Sequence, residues 1–329
     1  MAHKRFDEQL DALDALKGQE LDDAGVALVK KSLASRSNFL VAKAARLAEE
    51  NDRRDMLPEL QAAFERFFSN AGKSDPQCWA KNALSRALAR LECRDKVVFL
   101  RGLHHHQMEP TWGGKSDSAG TLRANCAHAL VGCDGLIAQD VVLLLLDLLA
   151  DADKAVRIEA IRAMAQLDEL AVPVLRLRAL IPGEDPEVLA VCYAALLSIE
   201  RERAVPFVAQ FLAKGDDSAA EAAFALAETH GAEALAALQK ARQHPSPATA
   251  EPWFAGVLLS AIALTRLPRA MDYLMALVQA DDRDAGLAIE AMAKAGLNEE
   301  LLTRLTQAVE ETGSPRLRKT LRQQMLPRA

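Results

Sequence analysis

The chain has 329 residues, half of them apolar but only 5% aromatic, and a formal net charge of −6. Mild acidity favours solubility and does not invite nucleic acid, while so few aromatic residues argue against a sheet-rich fold. The greasiest run, Val141 to Ala150, is too short to cross a bilayer and contains Asp147, and no apolar h-region follows the basic start at His3-Lys4-Arg5.

In chain order, apolar spacing and breakers predict a lead helix over 6–16 and then about nine helical hairpins. Their first helices fall near 20–33, 53–70, 95–106, 139–150, 169–180, 203–213, 231–242, 268–279 and 298–311. Their second helices fall near 37–51, 75–92, 117–133, 153–167, 185–200, 216–229, 248–264, 282–295 and 314–325. The cuts rest on a cap residue or a proline at a helix start, as in Asp75-Pro76, Asp185-Pro186, Gly215-Asp216, Pro245-Ser-Pro247 and Gly313-Ser-Pro315.

The segments echo one another. An acidic residue, a spacer and an alanine-rich apolar helix return along the chain, and Ala163-Met164 and Ala291-Met292 stand 128 residues apart, four steps of 32. Each pair has an apolar side it cannot bury alone and must lend to its neighbour, which is the logic of stacked repeats. The pattern of Asp, then Leu122-Arg123 or Val156-Arg157, then spaced Ala and Leu resembles HEAT repeats, particularly the compact kind found in phycobilisome-lyase-type proteins. The resemblance implies an Asp-to-Arg link between neighbouring repeats, pairing Asp117 with Arg123 and Asp151 or Asp153 with Arg157. Leu189 interrupts that ladder, and the shared residues are packing residues that carry no lyase activity with them.

The expected fold is all-α, a right-handed α-solenoid of HEAT type forming a single domain over 1–329. Longer repeats occupy 1–134, compact repeats of about 32 residues occupy 135–312, and a basic capping helix with Arg316, Arg318, Lys319, Arg322 and Arg328 occupies 313–329. The five cysteines are odd in number and form no CxxC pair, which reads as reduced, buried thiols in a cytoplasmic protein.

One segment breaks the rhythm, from His104 to Asp117. Long connectors on a rigid scaffold often carry function, so the candidate binding residues are His106, Glu109, Trp112, Gly113, Gly114, Lys115 and Arg123. In a binding loop Trp112 is an apolar anchor, the two glycines allow close backbone approach, and Lys115 and Arg123 supply charge. In a structural loop Trp112 folds back over the gap between the two repeat types, with the histidines satisfied at a helix end. Consecutive helical residues point about 100° apart, so His104, His105 and His106 cannot share one metal ion while helical. Gly-Gly-Lys-Ser lacks the first glycine of a phosphate loop. The acidic pairs lie at turns or helix ends, where capping explains them.

The sequence therefore predicts a non-enzymatic scaffold without metal or cofactor, binding a protein or peptide on its concave face and at the Trp112 loop. The alternative is a DNA-binding helical-repeat protein of the glycosylase kind. That reading needs a basic groove, and the 216–229 helix has Glu221 and Glu228 but no Lys or Arg.

Overall fold

The computed structural model describes residues 2–246 and 248–325, with side chains from residue 6 onward. Pro247 and Arg328 lie outside the described residues. The chain divides into two compact units, Met1–Leu170 and Ala171–Ala329.

The first unit opens with α1 (Ala2–Ala15) and continues as paired helices: α2 (Asp23–Leu33) with α3 (Asn38–Glu50), and α4 (Leu57–Arg66) with α6 (Trp79–Arg90), the latter two separated by the single-turn α5 (Ala71–Ser74). Next come α7 (Lys96–Leu103) and α8 (Gly120–Leu130), joined through strands β1 (Met108–Thr111) and β2 (Gly114–Asp117), and then α9 (Ala138–Leu149) with α10 (Lys154–Ala165). The second helices α3, α6, α8 and α10 pack each on the next.

The second unit repeats the plan. Its pairs are α11 (Val172–Leu180) with α12 (Pro186–Glu200), α13 (Val205–Ala209) with α14 (Asp217–Glu228), and α15 (Ala232–Gln243) with α16 (Pro252–Leu264). They are followed by α17 (Pro268–Gln279) with α18 (Ala285–Ala295), and α19 (Glu299–Thr312) with α20 (Pro315–Met325). Here α12, α14, α16, α18 and α20 form the stacked row. Among the described residues the fold is all-α apart from one small two-stranded ribbon.

Five aspartates that precede helices act as N-caps. Asp22, Asp95, Asp153, Asp185 and Asp216 each accept a backbone N–H from the first turn of the following helix, satisfying a donor that the helix leaves unpaired. Alanines then let the rows approach closely, so Ala44, Ala45, Ala80, Ala87 and Ala127 are wholly buried in the first unit.

Three departures from the sequence reading have local causes. The helix expected over 203–213 is a short α13 between two 3-10 turns, Arg201–Ala204 and Gln210–Lys214, because Arg201 takes φ +52° and Pro206 restarts the backbone one turn later. The helix expected from 248 begins at Pro252, since Thr249 is held in a turn by bonds with Ser246. The helix expected to 106 ends at Leu103, and 114–117, between loop and helix in the sequence reading, is a strand.

Candidate functional site

The segment His104 to Asp117 is a pinned β-hairpin. Met108 pairs with Asp117, Glu109 with Ser116, Pro110 with Lys115 and Thr111 with Gly114, leaving Trp112 and Gly113 as the two-residue tip. Gly113 takes φ +90°, which a side chain would strain, yet no atom lies within 4 Å of where its Cβ would stand. Its requirement is conformational, that of the second central residue of a type II-like turn. Gly114 likewise has open space around it, so the tip meets no neighbouring backbone.

Three anchors hold the base. Glu109 accepts the backbone N–H of Gln77 at 2.8 and 3.0 Å, and Gln107 donates to the backbone oxygen of Asp75 at 2.9 Å. Beneath them lies a wholly buried ion pair, Lys81 Nζ with Asp75 Oδ2 at 3.0 Å, and the Asp75 carboxylate also accepts the N–H groups of Ala80 and Lys81. The third anchor is Asp117, whose Oδ1 accepts from the N–H of Gln107 (2.9 Å) and Ala119 (3.0 Å), while its Oδ2 bonds Arg123 and His106, both at 2.7 Å. Burial acts to raise the Asp117 pKa, but the two backbone donors with His106 and Arg123 outweigh it and hold the carboxyl well below its ordinary range.

Arg123 is 2% exposed and forms a fork on Asp151, Nε to Oδ2 at 2.8 Å and Nη2 to Oδ1 at 3.1 Å, with Nη1 also bonding His105 O. Burial tends to lower its pKa; the bonds to Asp151 and Asp117 reverse that and raise it. The guanidinium thus ties the hairpin base to the α9–α10 turn, and its charge is spent on that joint. Arg157 bonds the backbone oxygens of Asp151 and Ala152, so Asp151 carries the link between neighbouring pairs.

Of the candidate residues, His106, Glu109 and Arg123 therefore belong to the base, and Trp112, Gly113, Gly114 and Lys115 to the exposed arm. Trp112 does not fold back over a gap: at 105% relative exposure it is entirely in solvent. Lys115, with Met108, lines a cleft of about 570 Å³ between the arm and the α9–α10 turn, where Asp147 and Asp153 oppose them and His104 and His106 form part of the wall. His105 turns away, with its ring edge-on to Phe68 at 5.0 Å, and burial lowers its pKa. Among the described residues no group of three or more His, Cys, Asp or Glu side chains is placed to hold a metal ion.

The sequence reading missed Asp75, Gln77, Lys81 and Gln107, the residues that fix the arm. Asp75-Pro76 looked like an ordinary helix start. The available signal was slight: Gly113 suits the second position of a two-residue turn, but Trp-Gly is not among the favoured hairpin pairs.

Two stacked rows of helical pairs capped by aspartates already point to one kind of repeat, and residues 142–227, from α9 to α14, match the family model for HEAT repeats. That stretch carries HEAT repeats. No curated protein matches the sequence. Asp151 and Arg123 form a joint between consecutive helical pairs, and the hairpin is inserted between the two helices of the pair that precedes the matched stretch. No helix among the described residues is long and apolar enough to cross a membrane.

Proposed function

We propose that this HEAT chain is a non-enzymatic protein-interaction scaffold that presents the Trp112 hairpin to a protein or peptide partner. HEAT repeats commonly serve as such scaffolds, and the observation that carries the reading here is a solvent-exposed tryptophan on a rigidly anchored arm. Large exposed aromatic side chains cost solvation and repay it when a partner covers them. Lys115 and Met108 extend the contact surface toward the cleft, and the open faces of the second helices add area. A cytoplasmic setting belongs to the same reading, and the buried, free thiols support it, since they suit a reducing compartment.

The test is capture of partners by the wild-type protein against Trp112→Ala combined with Lys115→Ala. Because both side chains are exposed, the variant should keep its helical content while losing the partner. An unchanged set of partners would remove the hairpin from the binding surface. The DNA-binding alternative makes a separate prediction, a mobility shift with duplex DNA at moderate salt, and none is expected.

A further inference from the structure

The second helices of the second unit show a surface that the hairpin does not explain. None of α12, α14 and α16 contains a lysine or an arginine. On α14 the outward stripe is Asp217, Glu221, Phe224 and Glu228, spaced at i, i+4, i+7 and i+11 so that all four share one side. The neighbouring helices supply the apolar part. Trp253 is 51% exposed and Leu264 37%, with half-buried Val257 between them on α16, and Val191 on α12 is half-buried as well. The strip reaches α18, because a Cβ on Gly256 would lie 3.7 Å from Leu287 Cδ2. Arg201 and Arg266 follow the ends of α12 and α16, and Lys294 sits near the end of α18.

The acids here do not come with cations of the same helices. Burial first, and then the charges of Glu187, Asp217 and Glu228, push the Glu221 carboxyl above its ordinary value. An apolar strip flanked by acids that repel one another is stabilised by a ligand that covers the strip and brings positive charge to its flanks. Phosphate-rich ligands and anionic membrane surfaces carry the wrong sign.

We infer that the exposed sides of α12, α14 and α16 dock a cationic amphipathic segment of a partner protein, its apolar side on Phe224, Val257 and Trp253 and its Lys or Arg side chains beside Glu221 and Glu228. The inference rests on the scaffold reading but not on the Trp112 hairpin, which lies in the other unit. The seat follows the helix-in-groove mode, in which apolar anchors give affinity and flanking charges give orientation and speed of association.

The experiment measures fluorescence anisotropy of a labelled Leu/Lys peptide of about 18 residues, patterned at helical spacing, with the full-length protein at about 0.1 M salt. A twin peptide with Glu in place of Lys is the control. The Lys peptide should bind at least about tenfold more tightly than its twin, with affinity falling as salt rises. Glu221→Lys with Glu228→Lys should weaken it by about tenfold or more, and Trp253→Ala by several-fold. Glu221→Gln with Glu228→Gln gives a smaller loss of the same sign and serves where charge reversal lowers helical content. Trp112→Ala should leave this binding unchanged, so failure of the hairpin reading and failure of this one are separable. Equal binding of both peptides, or indifference to the glutamate substitutions, would overturn the inference. So would sedimentation showing that the protein alone self-associates through the same glutamates, which would assign the face to a second copy.

Discussion

Arg123 shows how one side chain converts a repeat pattern into a joint. It is buried between two carboxylates, and only with Asp117 and Asp151 both in place are its donors used. Removing one partner of such a set leaves the others buried without compensation, so Arg123→Ala should cost about 3–5 kcal/mol in denaturant unfolding. Arg123→Lys should cost less but still measurably, because an ammonium cannot reproduce the fork on Asp151. Acid should act at the same joint. The folded pKa of Asp117 is depressed, so its contribution is fully present above the unfolded value of about 3.9 and is lost as pH falls through the folded value. The loss of stability on acidification below about pH 4 should therefore be shallower in Asp117→Asn than in wild type. Chemical unfolding at a series of pH values decides this, and identical slopes in the two proteins would show that Asp117 is not the titrating group. The Asp117–Arg123 pairing was legible from the repeat resemblance. That the arginine would be consumed by it, and unavailable to a ligand, was not, because sequence spacing does not report burial.

At the scale of elements, alanine-rich spacing specified the helices well, and the aspartates before them specified where they start. What spacing could not specify was an inserted hairpin, because its four-residue strands, Met-Glu-Pro-Thr and Gly-Lys-Ser-Asp, have no apolar alternation. The hairpin is held where the side chains of Glu109 and Gln107 bond backbone groups of a distant turn, the Gln77 N–H and the Asp75 oxygen, and no apolar pattern announces those contacts. Helix seams depend on equally specific fits. A Cβ on Gly102 would stand 2.4 Å from Cys126 Sγ, 3.2 Å from Leu122 Cδ1 and 3.3 Å from Phe64 Cζ, so α7 approaches α8 only because position 102 has no side chain. Gly102→Ala should therefore lower stability by about 1–3 kcal/mol despite alanine's better helix propensity. Cys126→Ala in the same chain should return part of that loss, since it clears the nearest clash. A double-mutant cycle measures the coupling, and strict additivity would mean that the seam is looser than the distances show.

Across the whole molecule the thiols give a readout of both units at once. Cys78, Cys93, Cys126 and Cys133 lie in the first unit and Cys192 in the second, and all are buried and free. The thiolate is the reactive form, and burial works against it. Desolvation raises the Cys78 and Cys133 pKa values to about 11 and that of Cys192 to about 12, and pushes Cys126 higher still. At pH 8 the native protein should therefore show no thiol reacting with a disulfide reagent at the rate of a free cysteine, and five should appear in denaturant. Local opening should expose the thiols unequally. Cys93 and Cys133 retain 8% and 7% exposure at the end of α6 and just beyond α8, whereas Cys126 is sealed against Gly102. Alkylation followed by mass spectrometry should find Cys93 and Cys133 modified first and Cys126 last among the four of the first unit. Rapid native labelling of Cys126 would contradict the α7–α8 seam and, with it, the close stacking on which the repeats depend.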